Sequence, residues 1–252
     1  MSTSNPKNTN QDWESTNPNP ESTNPHRESV NPNSESPNPN QAFPSRDAVY
    51  RALEARHGAE LQAKIAAARV AICGLGGLGS NIAIALARAG VGCLHLIDFD
   101  RVDLANLNRQ QYLMAQIGQY KTEALRDTLA AIAPYCQVEI DTVRVTEENL
   151  PTLFPNDGII CEAFDRPEAK ALLVNGVLEH FPQAYLVAAS GMAGLGSANL
   201  IQTRKITSRF YLCGDGISDS GSGLGLISSR VLTCAAHQAN MVLRLIAGHE
   251  TP

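Results

Sequence analysis

From residue 69 to residue 90 the chain reads RVAICGLGGLGSNIAIALARAG, its densest run of glycine. A short apolar stretch gives way to Gly74, Gly76, Gly77 and Gly79, and then to a segment with helical spacing that stops at Gly90. This satisfies the G-x-G-x-x-G pattern in the strand-to-helix context that the pattern requires. The glycines permit a tight turn and a close approach of backbone to phosphate oxygens. The helix N-terminus adds free N–H groups and the positive end of a dipole. No Lys-Ser or Lys-Thr follows the last glycine, which excludes a Walker loop. Asp98 ends the next apolar run, CLHLIDFD, 19 residues after Gly79, where a carboxylate suits ribose hydroxyls. These residues predict a nucleotide site and leave NAD and ATP as equal contenders.

The pattern then repeats. QVEIDTVRV, GIICEAF and AYLVAAS read as strands, and YKTEALRDTLAAIAP and EAKALLVNGVLEHF read as helices. Before the turn, AVYRALEARHG and AELQAKIAAA read as two short helices. After it, ANLIQTR and SRFYLC read as later strands, candidates for antiparallel pairing, and SRVLTCAAHQANMVLRLIAG as a long apolar helix capped by Gly248. Strands alternating with helices predict an α/β fold: a doubly wound, Rossmann-like, mostly parallel sheet with helices on both faces.

The first 45 residues have a different character. They hold eight of the 14 prolines and a seven-residue repeat, ESTNPNP, ESTNPHR, ESVNPNS, ESPNPNQ, starting at Glu14. No position of the repeat is consistently apolar, and Asn-Pro stops helices, so it is not a coiled coil. Residues 1–45 are read as a disordered, solvated tail and residues 46–252 as one nucleotide-binding domain. The start is polar, without the apolar core of a secretory signal, and no uninterrupted apolar run is long enough for a membrane span. A formal charge of −5 gives no footprint for nucleic acid. Six scattered cysteines read as reduced thiols of a cytoplasmic protein.

The stretch FDRVDLANLNRQQYLMAQIGQYK breaks the tie. Asn106, Arg109, Gln110 and Lys121 fall within 16 residues, just beyond the strand end where a nucleotide lies. Arginine binds a triphosphate bidentately and lysine acts as a point charge. An enzyme that expels pyrophosphate needs such cations, and a dinucleotide oxidoreductase does not. Asp165 ends the strand GIICEAFD, and an aspartate at a strand's carboxyl end, where the ligand crevice lies, suits Mg2+ bridging the phosphates.

Taken together, the glycine turn, DFD, NLNRQ, the Ile-Gly-x-x-Lys at 117–121 and AFD at 163–165 resemble the ThiF/MoeB/HesA adenylyltransferases, relatives of ubiquitin-activating enzymes. ASGMAG at 189–194, RFYLCGD at 209–215 and AAHQANMVLRLI at 235–246 are most similar to a short ThiF subtype. The resemblance runs from about Arg69 to Gly248. It implies ATP-dependent adenylylation of the C-terminal Gly-Gly carboxylate of a ThiS-type sulfur carrier, for thiamine thiazole synthesis, by a homodimer. It implies that Asp98 binds ribose, that Asn106, Arg109 and Gln110 bind phosphates, that Lys121 neutralises the transition state and that Asp165 holds Mg2+. Gly74, Gly76, Gly77 and Gly79 form the floor, with Gly76 and Gly77 under the adenosine and α-phosphate; Asp100 reads either as sharing ribose or metal duty or as a plain loop residue.

Other readings stay open at this level. Related enzymes activate molybdopterin or cysteine-pathway carriers. An NAD-linked oxidoreductase is a runner-up from another class, and a non-catalytic binding module a third. Asp165 also suits a helix N-cap, with Pro167 and Glu168 following. Many family members carry paired Cys-x-x-Cys zinc ligands. Here Cys213 is followed by Gly-Asp-Gly and Cys234 by Ala-Ala-His, so no structural zinc is expected. Cys213 is the best candidate for a reactive thiol, without an obvious cationic neighbour. Arg51 and Arg56 are candidates for the arginine that relatives contribute across a dimer. His95, His237, Arg230 and Arg244 read as core, interface or helix-flanking residues.

Overall fold

A computed structural model describes residues 43–219, 221 and 223–252. The seven-residue repeat, and with it the expectation of a disordered tail, lies outside the described residues.

Seven strands form one sheet in the order β3-β2-β1-β4-β5-β7-β6. They are β1 (Arg69–Cys73), β2 (Cys93–Ile97), β3 (Gln137–Asp141), β4 (Ile159–Glu162), β5 (Tyr185–Ala189), β6 (Gln202–Lys205) and β7 (Phe210–Gly214). All pairings are parallel except β6 with β7. From Val70 to Cys73, β1 is fully buried. That is the continuous apolar run of a parallel strand covered on both faces.

The helices are α1 (Arg46–His57), α2 (Ala59–Ala67), α3 (Gly77–Ala89), α4 (Lys121–Ile132), α5 (Leu150–Leu153), α6 (Pro167–His180) and α7 (Ser228–Ala247). Alternate side chains of β1 feed two cores. Val70 and Ile72 pack with Ile82, Leu86, Leu125, Leu129 and Val242 from α3, α4 and α7. Ala71 and Cys73 pack with Leu150, Leu173 and Val177 from α5 and α6. Period-two alternation on one strand therefore builds both layers. Truncating a fully buried leucine such as Leu86 to alanine costs about 2–5 kcal/mol.

The chain leaves β1 for β2 and β3 on one side, then returns to β4 on the other. The β1/β4 boundary is the switch point where ligands of such sheets bind, beyond the strands' carboxyl ends. Gly90 ends α3 in the left-handed conformation, and its neighbour Val91 donates back to the Leu86 carbonyl. No helix among the described residues is long and apolar enough to cross a membrane.

Three local expectations give way. The strand in QVEIDTVRV ends at Asp141. Beyond it, Asn149 and Thr146 exchange side-chain-to-backbone hydrogen bonds and fold the segment into a turn leading to α5. ANLIQTR is half strand, because Ser197 accepts from the Asn199 N–H and starts a 3-10 turn at residues 198–200. Asp165 does not cap α6: the N-cap is Arg166, without a side-chain cap bond.

Candidate functional site

The glycine turn lies at the switch point and is fixed from every side. Gly74 has φ +91°, and a Cβ there would lie 2.7 Å from the Ala163 carbonyl oxygen. Only glycine fits both the conformation and the space. The Gly74 N–H donates to Ile97 O at 2.8 Å and the Ala163 N–H to Cys73 O at 2.8 Å, so the ends of β1, β2 and β4 converge on the turn. Gly79 faces Gly74 so closely that a Cβ would collide with its carbonyl oxygen.

Four side chains hold the backbone of the turn. Asp98 Oδ2 accepts the Leu75 N–H at 2.6 Å, and Tyr112 Oη donates to Leu75 O at 2.7 Å. Ser80 Oγ donates to Gly76 O at 2.6 Å, and Asn81 Nδ2 to Gly77 O at 2.6 Å. Asn81 also donates to Arg109 O, which pins the cation-bearing loop to the start of α3. Tyr112, Ser80 and Asn81 were not among the sequence candidates. Ser80 and Asn81 directly follow the glycines, where short polar side chains fold back onto a helix's first turn. Tyr112 carried no local signal.

The expected ligands gather unevenly. Gln110 approaches Gly76, its Nε2 3.7 Å from the position of an added Cβ. Arg109 lies along Gly77, its Cγ 3.3 Å from the corresponding position. Arg109 Nε and Gln110 Oε1 are buried and have no hydrogen-bond partner. Atoms of this kind can be satisfied by a polar group from outside the chain. The Asn106 carbonyl accepts from the Arg109 and Gln110 N–H groups, which folds the loop toward the turn. Lys121, at the start of α4, is 6% exposed and donates to Asp100 Oδ2 at 3.0 Å. Asp98 Oδ1 accepts the Asp100 N–H at 2.8 Å. Burial raises the Asp98 carboxyl above its ordinary value, against the pull of Lys121 and the two N–H donors.

On the opposite side, Asp165 follows Ala163 and Phe164, both in contact with Gly74. It is exposed and takes no hydrogen bond or ion pair among the described residues. No group of three or more His, Cys, Asp or Glu gathers as a metal site among the described residues. A metal held by Asp165 would therefore need its other oxygens from a ligand such as a triphosphate.

Two expectations are corrected. Cys213 is fully buried at the end of β7 and contacts Thr203 Oγ1 at 3.5 Å. Burial pushes its thiol up to about 11, outweighing Thr203 and Arg204, so it lacks both the access and the thiolate character of a nucleophile. Arg230 does not merely flank an apolar stretch; it is 4% exposed and pairs with Asp215 at 2.6 Å. Arg51 and Arg56 lie on α1, and Leu53 of that helix meets Gly90 at the far end of α3. That is about 18 Å by helix length from the glycine turn, so neither reaches it within one chain. His95 is buried as expected, and Arg244 binds the chain end at Thr251.

Comparison with known proteins gives the family. The chain is 37% identical over 109 residues to the probable adenylyltransferase/sulfurtransferase MoeZ of Mycobacterium tuberculosis, covering 43% of this chain and 28% of that protein. It is 37% identical over 110 residues to the molybdopterin-synthase adenylyltransferase of Haemophilus influenzae, covering 43% and 45%. It is 46% identical over 77 residues to ubiquitin-like modifier-activating enzyme 5 of Caenorhabditis elegans, covering 31% and 18%. The matched part is thus less than half of each of these relatives. Among solved structures, E. coli tRNA N6-threonylcarbamoyladenosine dehydratase, TcdA, in complex with ATP superposes with a TM-score of 0.73. The identity is 22%, over 82% of this chain and 98% of that one, a shared fold. Residues 27–252 match the ThiF family model, and the chain belongs to the ThiF family.

Proposed function

We propose that the protein is an ATP-dependent adenylyltransferase that activates the C-terminal carboxylate of a small ubiquitin-like carrier, of the ThiS sulfur-carrier type with a Gly-Gly tail. The observation that carries this reading is the pair of buried, unpartnered atoms of Arg109 and Gln110 against the glycine turn. An NAD site needs no arginine there. The names of the curated relatives, two adenylyltransferases and a modifier-activating enzyme, support the same class. The ThiS-type carrier is favoured over molybdopterin or cysteine-pathway carriers by the short-ThiF variants at 189–194, 209–215 and 235–246.

The chemistry needs no protein base. The carrier's carboxylate is already ionised at neutral pH. Its oxygen forms a bond to the α-phosphorus as the α–β bridging bond breaks, and the electron pair leaves on pyrophosphate. What this chain supplies is position and charge. In this reading the N–H groups of Gly76 and Gly77 and the start of α3 line the α-phosphate. Asp98, with Asp100 beside it, orients the ribose. Asn106, Arg109 and Gln110 hold phosphate oxygens. Lys121, swung from Asp100, meets the charge growing on the leaving group. Asp165 would hold Mg2+, which when bound shields the negative charge of the phosphates.

A homodimer in the cytoplasm completes the reading. Leu104, Leu113 and Met114 stand exposed along the loop that carries Arg109, a surface suited to a second copy. The test is ATP–pyrophosphate exchange with purified Gly-Gly-ended carriers. Exchange that depends on a ThiS-like carrier, and is lost in Lys121→Ala, is the expected result. Nicotinamide binding with Arg109→Ala tolerated would reverse the reading in favour of a redox enzyme.

A further inference from the structure

Asn81 lies near the start of α3 and is buried, at a place where helix propensity favours alanine. Local preference does not account for an asparagine there; its contacts do. Nδ2 donates to Gly77 O at 2.6 Å, one turn back, and to Arg109 O at 3.2 Å. Oδ1 accepts from Gln111 Nε2 at 2.7 Å. Both N–H groups of the amide, and its oxygen, are therefore engaged within the chain.

These bonds run between the glycine turn and the loop that carries Arg109. Beside Asn81, Ser80 Oγ donates to Gly76 O and accepts the Gln111 N–H at 3.1 Å. Arg109 is fixed from its main chain outward: Asn81 holds its carbonyl, and its Cγ lies along Gly77. Its head is held more loosely. Nη1 rests on Asn108 Oδ1 at 2.8 Å and on Ala105 O at 3.3 Å, both on exposed residues, and Nε has no partner. An arginine anchored at its backbone in this way can exchange those surface bonds for the oxygens of an anion.

We propose that Asn81 is a positioning residue whose amide sets the distance between the glycine turn and the Arg109 guanidinium, and so tunes the grip on the β- and γ-phosphates of a nucleoside triphosphate. This rests on the adenylyltransferase reading, in which the turn takes the α-phosphate and Arg109 takes phosphate oxygens. Asn81 has no spare amide hydrogen for a nucleotide, so its effect passes through Arg109. Asn81→Ala removes the bonds to Arg109 O and Gln111 that tie the loop to α3. Ser80, Asp98 and Tyr112 still hold the turn itself. The two parts of the site are thereby separable: the turn stays built while the cation beside it loses its fixed place.

The experiment measures the Kd of ATP and of AMP, without any carrier. It compares the full chain with Asn81→Ala, Gln111→Ala, Arg109→Ala and the Asn81→Ala/Arg109→Ala double variant. Asn81→Ala is expected to raise the ATP Kd by about tenfold, the order of one charge-assisted hydrogen bond, with the AMP Kd within about twofold. In the Arg109→Ala background the same substitution should cost ATP less than about twofold more, because two residues that act as one unit are not additive. Gln111 is exposed, so Gln111→Ala does not threaten the core, and it should shift the ATP Kd in the same direction by a smaller factor. ATP affinity unchanged in both Asn81→Ala and Gln111→Ala, ATP and AMP weakening together, or additive losses in the double variant each overturn the proposal while leaving the enzyme reading intact. Wild-type protein that binds ATP no more tightly than AMP overturns the phosphate role of Arg109, and the positioning role of Asn81 with it.

Discussion

On the sheet face covered by α5 and α6, Arg69, His95, Glu139, Asp141 and Asp157 satisfy one another. Arg69 donates Nε to Asp157 at 2.7 Å and both Nη groups to Glu139. His95 meets Asp157 with Nδ1 at 2.8 Å and Asp141 with Nε2 at 2.9 Å. At the carboxyl ends of β1, β2 and β4, by contrast, Arg109 Nε and Gln110 Oε1 lie buried with nothing to bond. Both clusters are polar, charged and attached to the same strands. A closed network spends its charge on holding strands in register, whereas an open one keeps charge available for a ligand. The Asp98 N–H donates to Asp141 O at 3.3 Å, so the closed cluster also braces the open one.

The largest expected effect breaks the closed side. Asp157→Ala removes the fully buried carboxylate that Arg69 and His95 share and leaves them only the half-exposed Glu139 and Asp141, which should destabilise the fold by about 3 kcal/mol. Denaturant midpoints at constant slope measure it; a loss below about 1 kcal/mol would show that the network is not closed in solution. Next comes the open side. Lys121→Ala and Arg109→Ala should each lower exchange by about 10²–10³-fold. Melting temperature should fall less than in Asp157→Ala, since Lys121's partner Asp100 is half-exposed and stays hydrated when the lysine is removed. A melting-temperature drop equal to that of Asp157→Ala would erase the contrast between the clusters.

A smaller effect follows from His95. Both ring nitrogens face carboxylate oxygens, so both must donate, and only the imidazolium does that. Burial pulls the His95 value down, but the hydrogen bonds and charges of Asp157 and Asp141 outweigh it and leave it above 6.5. A raised folded value means stability that is present in full below pH 6.5 and lost as pH rises through the folded value. His95→Gln should flatten that slope in pH-dependent unfolding, and an unchanged slope would place the titration elsewhere. The least effect is expected from removing residues 1–42: carrier-dependent turnover should persist, and its loss would move the working part into the tail.

The sheet and the floor of the site were legible because their signals are local. Gly74 to Gly79 specify a turn by conformation alone, and the apolar runs at 69–73 and 93–97 specify buried strands by composition alone. Arg109, Lys121 and Asp165 were singled out by their order along the chain, and their roles stand as proposed. What stayed hidden is long-range. Tyr112 reaches Leu75 across 37 positions and Arg69 reaches Asp157 across 88. Cys213 looked accessible beside a glycine-rich stretch until β6 and α7 packed over it.

The sequence by itself determined that this chain makes a mostly parallel α/β sheet with a glycine turn between its first strand and the following helix, because glycine geometry and strand periodicity act within a few residues. Only the tertiary structure decided which charges are closed off and which are left open, because that depends on partners delivered from opposite ends of the chain. Arg230 changed meaning in that step: a cation at a helix end became a buried link to the loop after β7, in the helix that abuts the glycine turn.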